Sequence, residues 1–111
     1  MIFDNNKLPK VLADFLAAQK EFNSDAFVKA FAGDATVHDE GGDYLGTAEI
    51  KLWNETTNAK YHTRMEAIAF EENNGENILT ILMSGTFPGS PLEAKFHFII
   101  KNEKIESLRI D

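Results

Sequence analysis

The spacing of apolar residues changes part-way along the chain, and this change constrains the fold more than any other feature. In the first half, apolar residues recur with the 3.6-residue period of a helix. One such stripe consists of Leu8, Val11, Leu12, Phe15 and Leu16. After Lys60 the period becomes two, as in strands with one buried face. Helices followed by strands predict an α+β domain in which about three helices cover one face of an antiparallel sheet.

Three helices are expected before the change, at residues 8–21, 23–33 and 46–60. Pro9 falls in the first turn of the first helix, where its missing N–H costs nothing. Asn23 and its two successors offer side-chain oxygens that cap the second helix, and Gly33 ends it. A short extended segment at residues 35–39 and a glycine-rich turn or mobile loop at 40–43 precede the third helix.

Four strands are expected after the change, at residues 61–71, 78–87, 92–100 and 104–111. The sequence NNG at 73–75 is a hairpin signal between the first two. The strand at 92–100 alternates apolar residues with Glu93, Lys95 and His97, so one of its faces is buried and the other is more polar. No repeat or linker interrupts the chain, which is therefore expected to form a single domain over residues 1–111.

Composition excludes several classes of function. The 111 residues include no cysteine, which excludes disulfide frameworks, zinc-thiolate sites and cysteine nucleophiles and fits a reducing compartment. The net charge of −7, with scattered lysines and arginines, disfavours nucleic-acid binding. No apolar run approaches the roughly 20 residues that span a bilayer, and residues 1–7 do not resemble a signal peptide. A cytoplasmic protein without membrane contact is expected.

Several segments, by their order and spacing, resemble the SnoaL-like branch of the nuclear transport factor 2-like superfamily. They are FAGDATVHDE at 31–40, YLG at 44–46 leading through Ile50 to Trp53, SGTFPGSP at 84–91 and IESLRI at 105–110. The resemblance implies a cone-shaped, strongly curved sheet wrapped around a long first helix, with an apolar cavity at the open end. Members include ketosteroid isomerases, polyketide cyclases, limonene epoxide hydrolases and scytalone dehydratases, beside pocketed proteins of no assigned activity. Most are dimers, often through the convex sheet face.

Asp39 is the first candidate for a catalytic residue. In ketosteroid isomerase-like sequences an aspartate two residues after an Ala-Thr-Val segment is the general base, and residues 35–39 match that spacing. Period two puts Asp39 on the same side as Val37, facing the expected cavity, where desolvation tunes such a base. The alternative is an exposed carboxylate at a strand end that caps the turn at Gly41 and Gly42.

The isomerase assignment meets an obstacle in the rest of the site. That family stabilises the enolate oxygen with a tyrosine on the first helix and a protonated aspartic acid on a late strand. The matching helix position here is Phe15, and the matching strand region reads Phe96-His97-Phe98. Without these donors the main electrostatic contribution to enolisation is missing. Ketosteroid isomerase activity is therefore disfavoured.

The three histidines do not combine with Asp39 by spacing. Polyketide cyclase-like members use a His/Asp pair, but alternation puts His97 on the convex face, opposite Phe96 and Phe98. His38 is next to Asp39 on one strand and so points the other way, and His62 is expected at a strand start beside Tyr61. No histidine has ligand spacing with carboxylates, so neither a metal site nor a cofactor is expected.

The expected ligand pocket is mainly aromatic, although large aromatic side chains more often simply fill a core. Its expected lining is Phe15, Val37, Tyr44, Trp53, Tyr61, Phe96 and Phe98. One hypothesis is a lyase, isomerase or hydrolase that acts on a small apolar, polyketide-like or steroid-like molecule with Asp39 as general base. The other is a non-catalytic ligand-binding or dimerisation module.

A homodimer is expected in either case. The convex face carries Glu93, Lys95, His97 and Ile99, and it is expected to pair with the same face of a second copy.

Overall fold

The computed structural model describes residues 4–39 and 41–111, which form three α-helices, one short 3-10 helix and six strands. The 3-10 turn at Asn5–Lys7 precedes the helices α1 (Lys10–Lys20), α2 (Ser24–Lys29) and α3 (Gly46–Tyr61). The strands are β1 (Phe31–Asp39), β2 (Gly42–Leu45), β3 (Arg64–Asn73), β4 (Glu76–Ser84), β5 (Leu92–Lys101) and β6 (Lys104–Ile110).

The strands form one curved, unclosed sheet in the order β2-β1-β6-β5-β4-β3. The expected α+β class is confirmed. All neighbouring strands are antiparallel except β1 and β6, which pair in parallel. The antiparallel meander expected from the sequence therefore holds for β3 to β6 and is extended by the β1–β2 hairpin.

The second expected helix is too long, and the segment after it is a strand. Helix α2 ends at Lys29, and Phe31 begins β1 beside Ile105 of β6. The amide of Ile105 donates to the carbonyl of Ala30 at 2.8 Å. Pairing with a strand distant in sequence therefore overrides the local helical pattern that placed Phe31 on α2. The expected loop at 40–43 is also partly wrong, because Gly42 and Asp43 belong to β2, while Glu40 lies outside the described residues.

The change from helix to strand comes later than expected. Tyr61 is the last residue of α3, and His62 caps that helix in the left-handed conformation, with φ 51°. The amide of His62 donates to the carbonyl of Asn58 at 2.8 Å. Strand β3 begins only at Arg64, and β4 ends at Ser84 rather than at residue 87.

Aromatic rings fill the space between the helices and the concave face of the sheet. Phe15 of α1 is fully buried at their centre. Its ring centroid lies 4.8 Å from that of Phe27, 5.3 Å from that of Phe98 and 6.3 Å from that of Phe96. Burial of several large rings together is the main stabilising contribution in this interior.

A second buried cluster is polar and joins the three helices. The side chain of Gln19 donates to Asn58 and to the carbonyl of Thr63, each at 2.8 Å, and accepts from Asn54 at 2.9 Å. Asn54 also accepts from Ser24 of α2 at 2.7 Å. We call Gln19, Ser24, Asn54 and Asn58 the amide network. Buried amides of this kind are tolerated only when they are hydrogen-bonded to one another.

Candidate functional site

Asp39 lies at the end of β1, where the β1–β2 hairpin meets α3. The indole Nε1 of Trp53 donates to Oδ2 of Asp39 at 3.3 Å. The ring of Tyr44 stacks on the indole, with 5.7 Å between centroids and 29° between planes. We call Asp39, Tyr44 and Trp53 the Asp39 corner.

The strand register explains why these three side chains meet. Asp39 is paired with Gly42, and Tyr44 is paired with Val37, so Tyr44 and Asp39 share the inward side of the hairpin. A Cβ atom on Gly42 would lie 3.0 Å from the Tyr44 hydroxyl oxygen and 3.3 Å from the Asp39 carbonyl oxygen. Gly42 therefore provides the room in which the tyrosine packs over the turn.

The Asp39 corner joins a partly buried anion to two aromatic rings. Trp53 is 7% exposed, whereas Asp39 and Tyr44 are half-buried. On its other side the indole ring lies 6.1 Å from Phe27, which connects the corner to the aromatic interior. A carboxylate in this setting can accept a proton or a hydrogen bond from a ligand, while the half-buried ring of Tyr44 offers apolar surface beside it.

The other residues expected to line the pocket separate into two groups. Phe15, Val37, Phe96 and Phe98 are all fully buried in the core. Tyr61 lies apart from them, edge-on against Phe87 with 5.9 Å between centroids. The position that a catalytic tyrosine would occupy is thus filled by Phe15, which the neighbouring rings enclose.

The histidines lie outside the Asp39 corner. His38 hydrogen-bonds Asp43 across the hairpin, on the side of β1 opposite Asp39. His97 lies on the outer face of the sheet, and its side chain is 12% exposed. Its Nε2 is 3.0 Å from a carboxylate oxygen of Asp111, and its Nδ1 is 3.6 Å from one of Glu76.

The larger surface grooves lie elsewhere. One, of about 1040 Å³, runs between α1, α2 and the β5–β6 turn, over Val11, Ala18, Ala30 and Ile100. Another, of about 670 Å³, runs between α1 and the strands β3 and β4. None of the seven residues expected to line the pocket borders either groove.

Two further findings concern residues 4–39 and 41–111. Within these ranges, no three side chains of His, Asp or Glu are grouped so that they could hold a metal ion. No helix in the same part of the chain has the length and apolar character needed to cross a bilayer.

Sequence reasoning missed the amide network and the partner of Asp39. A signal for the network was present, because Asn54 and Asn58 occupy the side of α3 that Ile50 and Trp53 bury. Amides at positions where a helix is expected to be apolar indicate a buried polar contact. The indole–carboxylate bond has no comparable signal, since its two residues are 14 positions apart in different elements.

Comparison with solved structures finds close matches over nearly the whole chain. A candidate polyketide cyclase from Sinorhizobium meliloti is 28% identical, with a TM-score of 0.94, over 98% of this chain and 100% of its own. A protein of ketosteroid isomerase-like fold from Catenulispora acidiphila, in complex with trimethylamine, is 20% identical with a TM-score of 0.82, over 95% and 86%. An NTF2-like protein of unknown function from Cytophaga hutchinsonii is 15% identical with a TM-score of 0.77, over 100% and 91%.

These matches confirm the resemblance inferred from the sequence. The chain has the fold of the nuclear transport factor 2-like superfamily, and two of the matched structures contain a small organic molecule. A scan against protein-family models finds no match, and a search of curated proteins finds none either.

Proposed function

We propose that the chain binds a small, largely apolar molecule at the Asp39 corner, where Asp39 acts as the general base of a lyase, isomerase or hydrolase reaction. The observation that carries the proposal is the 3.3 Å hydrogen bond from the Trp53 indole to a half-buried carboxylate. The bond fixes the orientation of the base, and a positioned base is what proton abstraction requires.

The chemistry of the corner fits this role. A carboxylate has about four lone-pair positions, so it can keep its indole partner and accept a substrate proton as well. The half-buried ring of Tyr44, backed by the buried indole of Trp53, offers apolar surface to a flat or hydrophobic substrate. The likeness to a candidate polyketide cyclase supports a polyketide-like or steroid-like ligand, while the trimethylamine complex of another similar structure supports a fold that accepts small organic molecules.

The proposed reaction differs from that of a ketosteroid isomerase. Phe15, Phe96 and Phe98 give no hydrogen-bond donor to a developing oxyanion. The substrate must therefore carry a proton that a carboxylate can remove without such help. The same filled interior favours the second candidate function, a ligand-binding module without catalysis.

The only tryptophan of the chain belongs to the corner, so its fluorescence reports on this site alone. We expect a polyketide-like or steroid-like ligand to quench Trp53 emission and to raise the melting temperature. At one hundred times Kd the ligand adds about 2.7 kcal/mol to the free energy of unfolding. A library of such ligands that neither quenches nor stabilises the wild-type protein would contradict binding at the corner.

Asp39→Asn separates catalysis from binding. The amide keeps the shape of the side chain and an oxygen that accepts from Trp53, so folding and ligand quenching should persist. Turnover should fall by about 10²–10⁴ if Asp39 is the base. Tyr61→Phe is the matched control, because Tyr61 lies away from the corner and should leave turnover unchanged. Equal turnover in wild type and Asp39→Asn refutes Asp39 as the base, whereas ligand binding without any turnover in the wild type leaves the non-catalytic module.

A homodimer through the outer face of β4, β5 and β6 is part of the proposal. Ile99 is partly exposed on this face among polar and charged neighbours that include Lys95, His97 and Arg109, and such a mixed surface is typical of a non-obligate interface. Ile99→Glu should shift the mass measured by light scattering from dimer to monomer, whereas Ile68→Glu on β3 should not. A monomeric wild type at micromolar concentration would contradict the dimer. The cytoplasmic location stays a prediction.

A further inference from the structure

Four charged side chains meet on the outer face of the sheet, at one end of three neighbouring strands. His97 of β5 is paired with Arg109 of β6, and β4, which begins at Glu76, lies on the other side of β5. Asp111 follows β6 directly. We call these four residues the charge ring: Glu76, His97, Arg109 and Asp111.

The contacts of the charge ring alternate between basic and acidic groups and close on themselves. Glu76 lies with Oε1 3.6 Å from Nδ1 of His97 and with Oε2 3.8 Å from Nη1 of Arg109. Asp111 lies with Oδ2 3.0 Å from Nε2 of His97 and with Oδ1 3.8 Å from Nε of Arg109. Each carboxylate therefore turns one oxygen to the histidine and the other to the arginine.

His97 is the most buried member of the charge ring. Its side chain is 12% exposed, compared with 32% for Glu76 and 59% for Asp111. Both ring nitrogens of His97 are shielded from solvent, and neither is aligned for a hydrogen bond within the part of the chain that the structure describes. The two carboxylates therefore act on the imidazole through their charge, at a place where water and salt screen charges less than at an open surface.

The proton on His97 decides the net charge of the ring. With a protonated imidazole, two cations balance two carboxylates. With a neutral imidazole, Arg109 alone faces both carboxylates, and the ring is left with an excess negative charge. Histidine changes its charge between about pH 5 and 8, whereas carboxylates and guanidinium keep theirs. Lys95, exposed on the same face and hydrogen-bonded through its backbone to Asp111, is cationic throughout.

We infer that the charge ring makes the homodimer pH-dependent, so that the outer faces of two copies pair when His97 is protonated and separate as the pH rises. The inference rests on the dimer proposed above. Covering a balanced ring leaves no unpaired charge in the interface, whereas covering a ring with an excess carboxylate does. An isologous contact contains both rings, so the excess charge is present twice. A dimer that binds the proton more tightly than the monomer gains stability as the pH falls.

The test measures the dimer dissociation constant of the full chain by sedimentation velocity, at constant ionic strength, between about pH 5.5 and 8.5. The wild-type Kd should be at least about tenfold higher at the upper end, because like charges that face each other across an interface are costly. In His97→Gln the ring keeps its excess negative charge at every pH. The Kd of this variant should therefore stay close to the high-pH value of the wild type.

A matched control is needed because acid also lowers the net charge of the whole chain, which is −7 at pH 7. His38→Gln provides it. His38 is exposed, hydrogen-bonds Asp43 and is paired with Arg109 across β1 and β6, but it makes no contact in the ring. It changes its charge over the same range of pH. Its removal should leave the wild-type dependence of Kd on pH.

Glu76→Gln should reverse the sign of the effect. Arg109 and Asp111 then balance each other when His97 is neutral, and a protonated His97 adds an excess positive charge. The Kd of this variant should therefore fall as the pH rises. Melting temperatures near that of the wild type show that each variant is folded.

The outcomes separate the ring from the dimer itself. A wild-type dimer with the same Kd at every pH would overturn the role of the ring and leave the dimer in place. So would a wild-type pH dependence that persists in His97→Gln or in Glu76→Gln, or that His38→Gln abolishes. A wild type that is monomeric at every pH would overturn both proposals.

Discussion

The amide network makes a quantitative prediction for Asn54→Leu. Leucine keeps the branching of the asparagine side chain but neither donates nor accepts. The substitution removes the hydrogen bond to Gln19 at 2.9 Å, the one from Ser24 at 2.7 Å and the one from Asn58 at 3.2 Å. Three polar groups thus lose a partner inside the junction of the three helices.

The magnitude follows from how far water can reach each group. Gln19 is 1% exposed, so its carbonyl oxygen finds no replacement and costs about 2 kcal/mol. Ser24 and Asn58 are 8% and 9% exposed and border a surface groove, so hydration limits their cost to about 0.5 kcal/mol each. The expected loss is about 3 kcal/mol, or about 12 °C in melting temperature for a domain of this size.

Urea denaturation followed by circular dichroism measures this loss. Thr56→Leu, an exposed polar-to-leucine change on the same helix, is the matched control and should stay within about 0.5 kcal/mol of wild type. The double variant Gln19→Leu with Asn54→Leu should lose at least about 1 kcal/mol less than the sum of the single variants, because the two residues share a hydrogen bond. A loss below about 1 kcal/mol for Asn54→Leu, or strict additivity, would refute the network as a stabilising unit.

Two further predictions concern backbone packing and acid stability. A Cβ on Gly85 would lie 2.4 Å from the carbonyl oxygen of Tyr61, so Gly85→Ala should cost about 2–3 kcal/mol in thermal denaturation. Gly33→Ala meets no atom within 4 Å and should change stability by less than about 0.5 kcal/mol; equal costs would contradict the close approach. Lys51 donates to Asp25 and holds the pKa of that carboxyl below its ordinary value, so its stabilising effect is present above the ordinary pKa and is lost as the pH falls through the lowered one. The urea midpoint of Lys51→Met should therefore lie below wild type at about pH 6 and converge with it towards about pH 2; a constant gap would contradict the linkage.

Periodicity predicted most of the architecture because each element buries one face. Alternation along β1 correctly separates His38 from Asp39, and alternation along β5 correctly separates His97 from Phe96 and Phe98. The errors fall where a distant segment decides the conformation. Phe31 falls within the second helix expected at 23–33, yet it pairs with Ile105, because the parallel contact with β6 satisfies the backbone of β1.

The candidate site was predicted less completely than the fold. Asp39 and Trp53 were both selected from the sequence, but their hydrogen bond depends on how α3 lies across the hairpin. Phe15 shows the same limit for a residue that the sequence correctly predicts to face the interior. An apolar residue on the inner stripe of a helix is expected to face the interior, but the pattern does not tell whether that interior is an open cavity or is filled by other rings.

The change of hydrophobic period, read from the sequence alone, determined that helices precede strands and that the domain is of the α+β class, with helices packed on a sheet. It did so because the local backbone conformation decides on which face of a helix or strand each side chain lies, and the spacing of apolar residues reflects that conformation. The tertiary structure decided the parallel β1–β6 pairing, the amide network and the meeting of Asp39 with Trp53. Each of these depends on distances between residues far apart in sequence, which are set only when the elements pack together.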